Sequence, residues 1–211
     1  MKKKKDDLGR RITDVVAAPA DQLLVAFFDA RGPFAGSTFD DLPDNPRNDF
    51  SASDLLAASL LDVRFEPRAV RALLEGKPGA FSEHLAVIRD DADLWDATDD
   101  DLRLANALWD EVRKLPGVGS TKTSKLLARK RPRLIPIVDS VIRTALPLGK
   151  DSWVSLRSAL QDEQVRESIE GIRPPGLAST VSTLRLLDAA TWMRYSTSRN
   201  ARKALKAAGL G

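Results

Sequence analysis

The amino-acid sequence predicts an all-α protein, on three observations. Alanine, leucine, arginine and aspartate dominate the 211 residues while β-branched runs stay short, a composition that favours helices. Apolar residues recur at intervals of three and four along most segments. Proline, glycine and short polar residues stand where those segments begin and end.

Residues from about 7 to 30 read as one helix, with Leu23, Leu24, Ala26 and Phe27 on its apolar face. Arg31 to Asp49 is rich in Gly, Pro, Asn and Asp and reads as a loop long enough to carry function. Ser53 is placed to cap a helix running through Leu55, Leu56, Leu60 and Leu61. Pro67 suits the first turn of the next helix, which Gly76 ends. Another helix is expected from Phe81 to Ile88. Asp99 to Lys114 is clearly amphipathic, displaying Leu102, Leu104, Leu108 and Val112. A sharp break at residues 115–119 precedes a helix from about Ser120 to Lys130, and Pro132 and Pro136 bracket a short extended piece. Helices over Ser140–Leu146, Ser152–Ile169, Ala178–Tyr195 and Arg199–Ala207 complete the chain.

Composition narrows the chemistry. The chain has no cysteine, which excludes disulfides, thiolate metal sites, iron–sulfur clusters and cysteine nucleophiles. His84 is the single histidine, so no metal site built from side chains is expected and a Ser-His-Asp triad has little to draw on. Carboxylates, lysines and hydroxyls are left. No run approaches the ~20 apolar residues that span a bilayer, and no apolar signal core follows Met1–Lys5, so no membrane partner and a cytoplasmic location are expected. The lysines of that run read as a solvated tail.

Net charge is only +3, but it is unevenly spread. Asp90, Asp91, Asp93, Asp96, Asp99, Asp100 and Asp101 crowd one segment. Between Arg113 and Lys150 stand Arg113, Lys114, Lys122, Lys125, Arg129, Lys130, Arg131, Arg133, Arg143 and Lys150, with Asp139 as the lone carboxylate. A concentrated positive field of this kind is the footprint of a polyanion site.

The most informative segment is Leu115-Pro116-Gly117-Val118-Gly119, between two amphipathic helices. Two glycines one residue apart permit positive φ and clear the turn of side chains. The next helix starts at once, so its unpaired N–H groups and positive dipole end suit one phosphate. Lys122, Lys125 and Arg129 follow at spacings that place them on one helix face. Asp139 is spaced to cap the helix that follows it.

This stretch, LPGVGSTKTSKLLARKRPRLIPIVDSVIRTAL, resembles the hairpin and following loop of the helix-hairpin-helix DNA glycosylase superfamily, the relatives of endonuclease III and the adenine glycosylases, in an actinobacterial-type branch. The resemblance covers about Leu115 to Leu146 and is compatible with the helical pattern from Ser53. It implies two helical lobes with a cleft between them. Residues 51–150 would form a lobe carrying the hairpin (about 103–131) and the aspartate loop (134–146). Residues 1–50 and 151–211 would build the other. Asp139 falls on the family's catalytic aspartate. Thr121 falls where bifunctional members carry a nucleophilic lysine, which implies a monofunctional enzyme without lyase activity.

The expected activity is hydrolysis of the N-glycosidic bond of a flipped damaged or modified base in double-stranded DNA, leaving an abasic site, in base-excision repair or anti-phage defence. In this scheme Gly117, Val118, Gly119, Thr121, Lys122, Lys125 and Arg143 contact the DNA backbone. Asn45, Arg47 and Asn48 line the pocket or enter the duplex. Trp95, Trp109, Trp153, Trp192 and Tyr195 are candidates to stack on the base. The resemblance also implies a monovalent cation held by hairpin carbonyls, no required cofactor and a monomer. Two other readings stay open on the residues alone. One is a non-catalytic DNA-binding module in which Asp139 only caps its helix; the other is a helical protein-interaction adaptor whose basic stretch pairs with Asp90–Asp101.

Overall fold

The computed structural model describes residues 2–76 and 79–210, with side chains from residue 7 onward. The side chains of Lys2–Lys5, read above as a solvated tail, lie outside the described residues. The chain is all-helical. Among the described residues thirteen α-helices run in order: α1 (Lys2–Val16), α2 (Ala20–Phe28), α3 (Gly36–Asp41), α4 (Ala52–Ser59), α5 (Pro67–Leu74), α6 (Ser82–Val87), α7 (Asp99–Arg113), α8 (Ser120–Lys130), α9 (Ser140–Ala145), α10 (Ser152–Leu160), α11 (Glu163–Glu170), α12 (Thr183–Tyr195) and α13 (Arg199–Ala207). A 3-10 turn at Leu94–Asp96 precedes α7. Among the described residues no helix is long and apolar enough to cross a membrane.

Local chemistry sets most helix starts. Thr98 and Asp101 form a reciprocal capping box at α7, and Ser51 with Asp54 does the same at α4. Asp139, Asp151, Asp162, Ser182 and Ser198 each accept a backbone N–H of the first turn that would otherwise be unpaired.

Five details differ from the sequence expectations, one being that the helix expected from Ala178 begins only at Thr183, where Ser182 caps it. The single helix expected over residues 7–30 breaks between Val16 and Ala20, because Pro19 lacks an N–H and disfavours a helical residue before it. The expected loop Arg31–Asp49 contains α3. The cap of α4 is Ser51, two residues before Ser53. The expected helix Ser152–Ile169 is two helices, since Asp162 caps a new one.

α12 is the central element. It is buried continuously from Thr183 to Thr191 and packs against α1, α2, α9, α11 and α13. The N-terminal helices α1 and α2 thus meet the C-terminal ones, while α4 packs on α8, and α7 on α6 and α8. One hydrophobic core, reaching from Leu8 to Met193, joins both groups.

Candidate functional site

At the turn between α7 and α8, the Val118 N–H donates to Leu115 O at 3.1 Å and Gly117 adopts φ +70°. Gly119 opens α8 in an extended conformation, and no side chain caps it. The first-turn N–H groups of α8 therefore face outward without a side-chain acceptor. Val118, expected among the DNA contacts, turns its side chain into the core. Lys122 Nζ folds back to donate to Gly117 O at 2.6 Å. That ammonium places a positive charge on one of the hairpin carbonyls.

The segment after α8 returns to the same helix. Ser124 Oγ accepts the Val138 N–H at 3.3 Å and lies 3.5 Å from Val138 O, pinning this extended piece. Asp139 follows and opens α9: Oδ1 accepts from the Ile142 N–H at 3.0 Å, and Oδ2 stands 3.6 Å from Lys125 Nζ. Consecutive residues then face different concavities. Val138 lines an open groove with Arg113, Ser120, Arg143 and Lys150, and Asp139 lines a cavity of about 390 Å³.

That cavity combines charge with aromatic walls. Lys125, Asp139, Arg185 and Asp188 meet Phe27, Phe34 and Trp192 there. Phe34 lies 5.8 Å from Phe27 and 6.2 Å, edge-on, from Trp192. Leu60, Leu61 and Asp62, at the end of α4, and Ser198, Arg199 and Asn200, at the start of α13, form other parts of its wall. Such a volume lies near the lower end of the roughly 300–1,000 Å³ of small-ligand sites.

The charged groups are coupled. Arg185 donates Nε to Asp40 Oδ2 at 3.0 Å and Nη1 to Asp188, and its Nη2 is buried without a partner. Burial pushes the Asp188 carboxyl up to about 6. The charge of Asp139 adds to that rise, and Arg185 and Lys125 oppose it. Asp40 is also raised by burial, against the pull of Arg185. Burial works against the charge of Arg185, but Asp40 and Asp188 outweigh it and raise its pKa.

Several residues of the basic stretch are not on the surface. Lys125 and Arg129, expected on a phosphate-facing helix side, are 6% and 4% exposed because α4 covers that face. Lys125 sits at the cavity with Asp139, and its Nζ donates to Leu61 O at 2.5 Å. Arg129 and Lys130 both pair with the buried Asp54. Arg131 is spent on the carbonyls of Arg47, Leu85 and Ile88. Arg133 pairs with Asp93.

Asn45, Arg47 and Asn48, expected at the pocket or in the duplex, serve this same network and do not line the cavity. Asn45 donates to Arg129 O and accepts from Lys130, Asn48 accepts from Arg131, and Arg47 pairs with Asp90. Arg143 is exposed in the groove, 3.3 Å from Ser152 Oγ, and is not bonded to Asp139. Thr121 is half-buried and does not line the cavity. Of the aromatic candidates Trp192 alone lines the cavity; Trp109 and Trp153 pack edge-to-face beside the groove. Trp95 lies beneath Arg166, and Tyr195 beneath Arg11.

Phe34, Arg185 and Asp188 were not singled out by sequence reasoning, and Phe27 was read only as part of an apolar helix face. Arg185 and Asp188 do leave one signal: a cation and an anion three residues apart inside the apolar run Leu184–Ala190.

Fold and site together define an all-helical protein with a glycine hairpin beside a carboxylate-bearing cavity. The chain belongs to DUF6308, a family of unknown function, whose model matches residues 20–195. The match includes the hairpin, Lys125, Asp139, Arg185 and Asp188. No curated protein and no solved structure matches the chain.

Proposed function

We propose that this protein is a helix-hairpin-helix DNA glycosylase that hydrolyses the N-glycosidic bond of a flipped base. The observation that carries the reading is the placement of Asp139. Its carboxylate lies on an aromatic-walled cavity, and the preceding residue lines a basic groove that also includes Ser120, in the first turn of α8. In this reading α1–α3 and α10–α13 form one lobe, α4–α9 the other, and the cavity is the cleft between them.

The hairpin and groove grip the backbone, with the free N–H groups of α8, Lys122, Arg143, Arg113 and Lys150 at the phosphates. The target nucleotide leaves the stack and its base enters the cavity against the wall formed by Phe34 and Trp192. As the base departs, positive charge develops on the deoxyribose. Asp139 stabilises it and orients the attacking water. The product is an intact abasic site, and the enzyme acts as a monomer in base-excision repair or anti-phage defence.

The test incubates the protein with duplexes bearing alkylated, deaminated or oxidised bases and with phage DNAs, scoring abasic sites against Asp139→Asn. Product formed by the wild type and lost in the variant supports the reading. No abasic site from any DNA, with salt-sensitive binding unchanged in Asp139→Asn, would establish a non-catalytic DNA-binding module instead. One observation favours that second reading: both Asp139 oxygens already have structural partners, in the Ile142 N–H and Lys125. For the adaptor reading, Asp90, Asp93, Asp99 and Asp101 pair with Arg47, Arg133, Arg157 and Arg89, of which Arg133 alone belongs to the basic stretch.

A further inference from the structure

Two carboxylates of the cavity wall and one just outside it are bonded to, or paired with, two cations. Arg185 serves Asp40 and Asp188, and Lys125 stands beside Asp139. The neighbouring Arg129 and Lys130 are drawn to Asp54 on α4, although Arg129 still lends Asp40 some of its field. Carboxylates crowded out of water cannot all stay ionised, and a proton is held by whichever is least compensated. Asp40 meets two guanidinium groups and lies outside the cavity. Asp188 shares one guanidinium, feels the charge of Asp139 against it and only a smaller pull from Lys125, and lines the cavity.

We propose that Asp188 is the proton donor to the departing base, working opposite Asp139 at the sugar. The proposal rests on the glycosylase reading above and assigns the second half of its chemistry. The C1′–N bond breaks and its electron pair passes to the base. The Asp188 proton goes to that base nitrogen, or to an oxygen conjugated with it. Asp139 takes a proton from the water whose oxygen bonds to C1′, so one water is consumed in the whole step. The proton gained by Asp139 and that lost by Asp188 then equilibrate through the solvent-filled cavity. Glycoside hydrolysis divides the same labour between two carboxylates.

This fixes a substrate class. A base that leaves as an anion needs the proton, whereas an N-alkylated, cationic base leaves without it. The site therefore fits an uncharged base, such as a deaminated one with a ring carbonyl. Burial raises the Asp188 carboxyl to about 6 against the pull of Arg185, so it is mostly protonated in mildly acidic solution and only a minor fraction keeps the proton at neutral pH.

The experiment has two arms. In the first, ¹³C-carboxyl NMR of the wild-type protein follows Asp188 from pH 4 to 8. A midpoint near 6, lowered in Asp139→Asn, is expected; full ionisation at pH 4 overturns the proposal. In the second, base release is timed in single turnovers from duplexes carrying hypoxanthine, uracil or 7-methylguanine. Asp188→Asn is expected to slow release of the uncharged bases by about 10²-fold or more and to abolish the fall in rate above about pH 6. Asp188→Glu restores part of the rate. A profile of unchanged shape, or equal slowing with 7-methylguanine, overturns the proposal alone. No Asp139-dependent release from any duplex overturns the glycosylase reading as well. A thermal melt of each variant separates loss of fold from loss of chemistry.

Discussion

Lys125 and Asp139 face one another across 3.6 Å at the cavity wall, each side chain more than nine-tenths buried. The same ammonium donates to Leu61 O, so one lysine ties the end of α4 to the start of α9. Removing it strands a buried carboxylate, which typically costs about 3–5 kcal/mol. Lys125→Met is expected to lower stability by an amount in that range in urea unfolding, and Lys125→Met with Asp139→Asn to recover most of it. A single variant as stable as the wild type would mean that the pair holds nothing together.

The same geometry predicts an absence of lyase chemistry. Lys122 Nζ is engaged by Gly117 O, and Lys125 by Asp139 and Leu61 O. Neither amine is disposed to attack C1′. Borohydride treatment during turnover should trap no covalent protein–DNA adduct. An adduct that disappears in Lys125→Ala would reassign that lysine as a nucleophile.

The two hairpin glycines should behave differently. Gly117 has φ +70°, and a Cβ there would come within 2.8 Å of Glu66 Cγ. Holding a non-glycine residue in that conformation costs about 1–3 kcal/mol, so Gly117→Ala should lower the melting temperature. Gly119 has φ −90° and open space where its Cβ would project. Gly119→Ala should leave the fold intact yet weaken DNA binding in fluorescence anisotropy, because the methyl covers the approach to the first turn of α8. Equal DNA affinity in Gly119→Ala would remove the hairpin from the proposed interface.

These contrasts explain what was legible in the chain. Helix starts are local events, and residues such as Thr98, Asp101 and Asp139 announce them within one turn of sequence. Asp139 could be singled out because its neighbours, the hairpin and the proline-bracketed stretch, lie close along the chain. Spacing put Lys125 and Arg129 on one face correctly, but it could not say what covers that face. Asp54 and α4, distant in sequence, convert an expected phosphate contact into buried pairs. Phe27, Arg185 and Asp188 reach the cavity through the packing of α2 on α12, and Phe34 through the segment after α2 that folds back against Phe27 and Trp192, which no local pattern encodes.

The basic stretch accordingly divides into two functional groups. Arg113, Lys122, Arg143 and Lys150 have no carboxylate partner among the described residues and surround the hairpin and groove. Neutralising any one that contacts a phosphate should reduce the slope of log affinity against log salt by about 1. Replacing Asp54 should act on folding instead, because Arg129 and Lys130 would be left buried without it. Asp54→Ala is expected to cost about 3–5 kcal/mol. DNA affinity insensitive to the first four substitutions would place the polyanion surface elsewhere.

Stability should also carry the mark of Asp188. Its carboxyl rises from 3.8 to about 6 on folding, through burial first and then the nearby charge of Asp139. The folded protein therefore binds the extra proton between those values. The resulting stabilisation is complete below the ordinary aspartate range and is lost as pH rises through about 6. Asp101 has the opposite sign. Burial would raise it, but hydrogen bonds from Thr98 and Arg89 prevail and lower it, so its contribution is present at neutral pH and lost in acid. Asp188→Asn mimics the protonated carboxyl and isolates the first effect from the second. Urea unfolding at intervals from pH 4.5 to 7.5 should show the wild type losing stability relative to Asp188→Asn as pH rises. A constant difference across that window would mean that Asp188 is ionised in the folded protein throughout it, and with that would go the proton that the departing base requires.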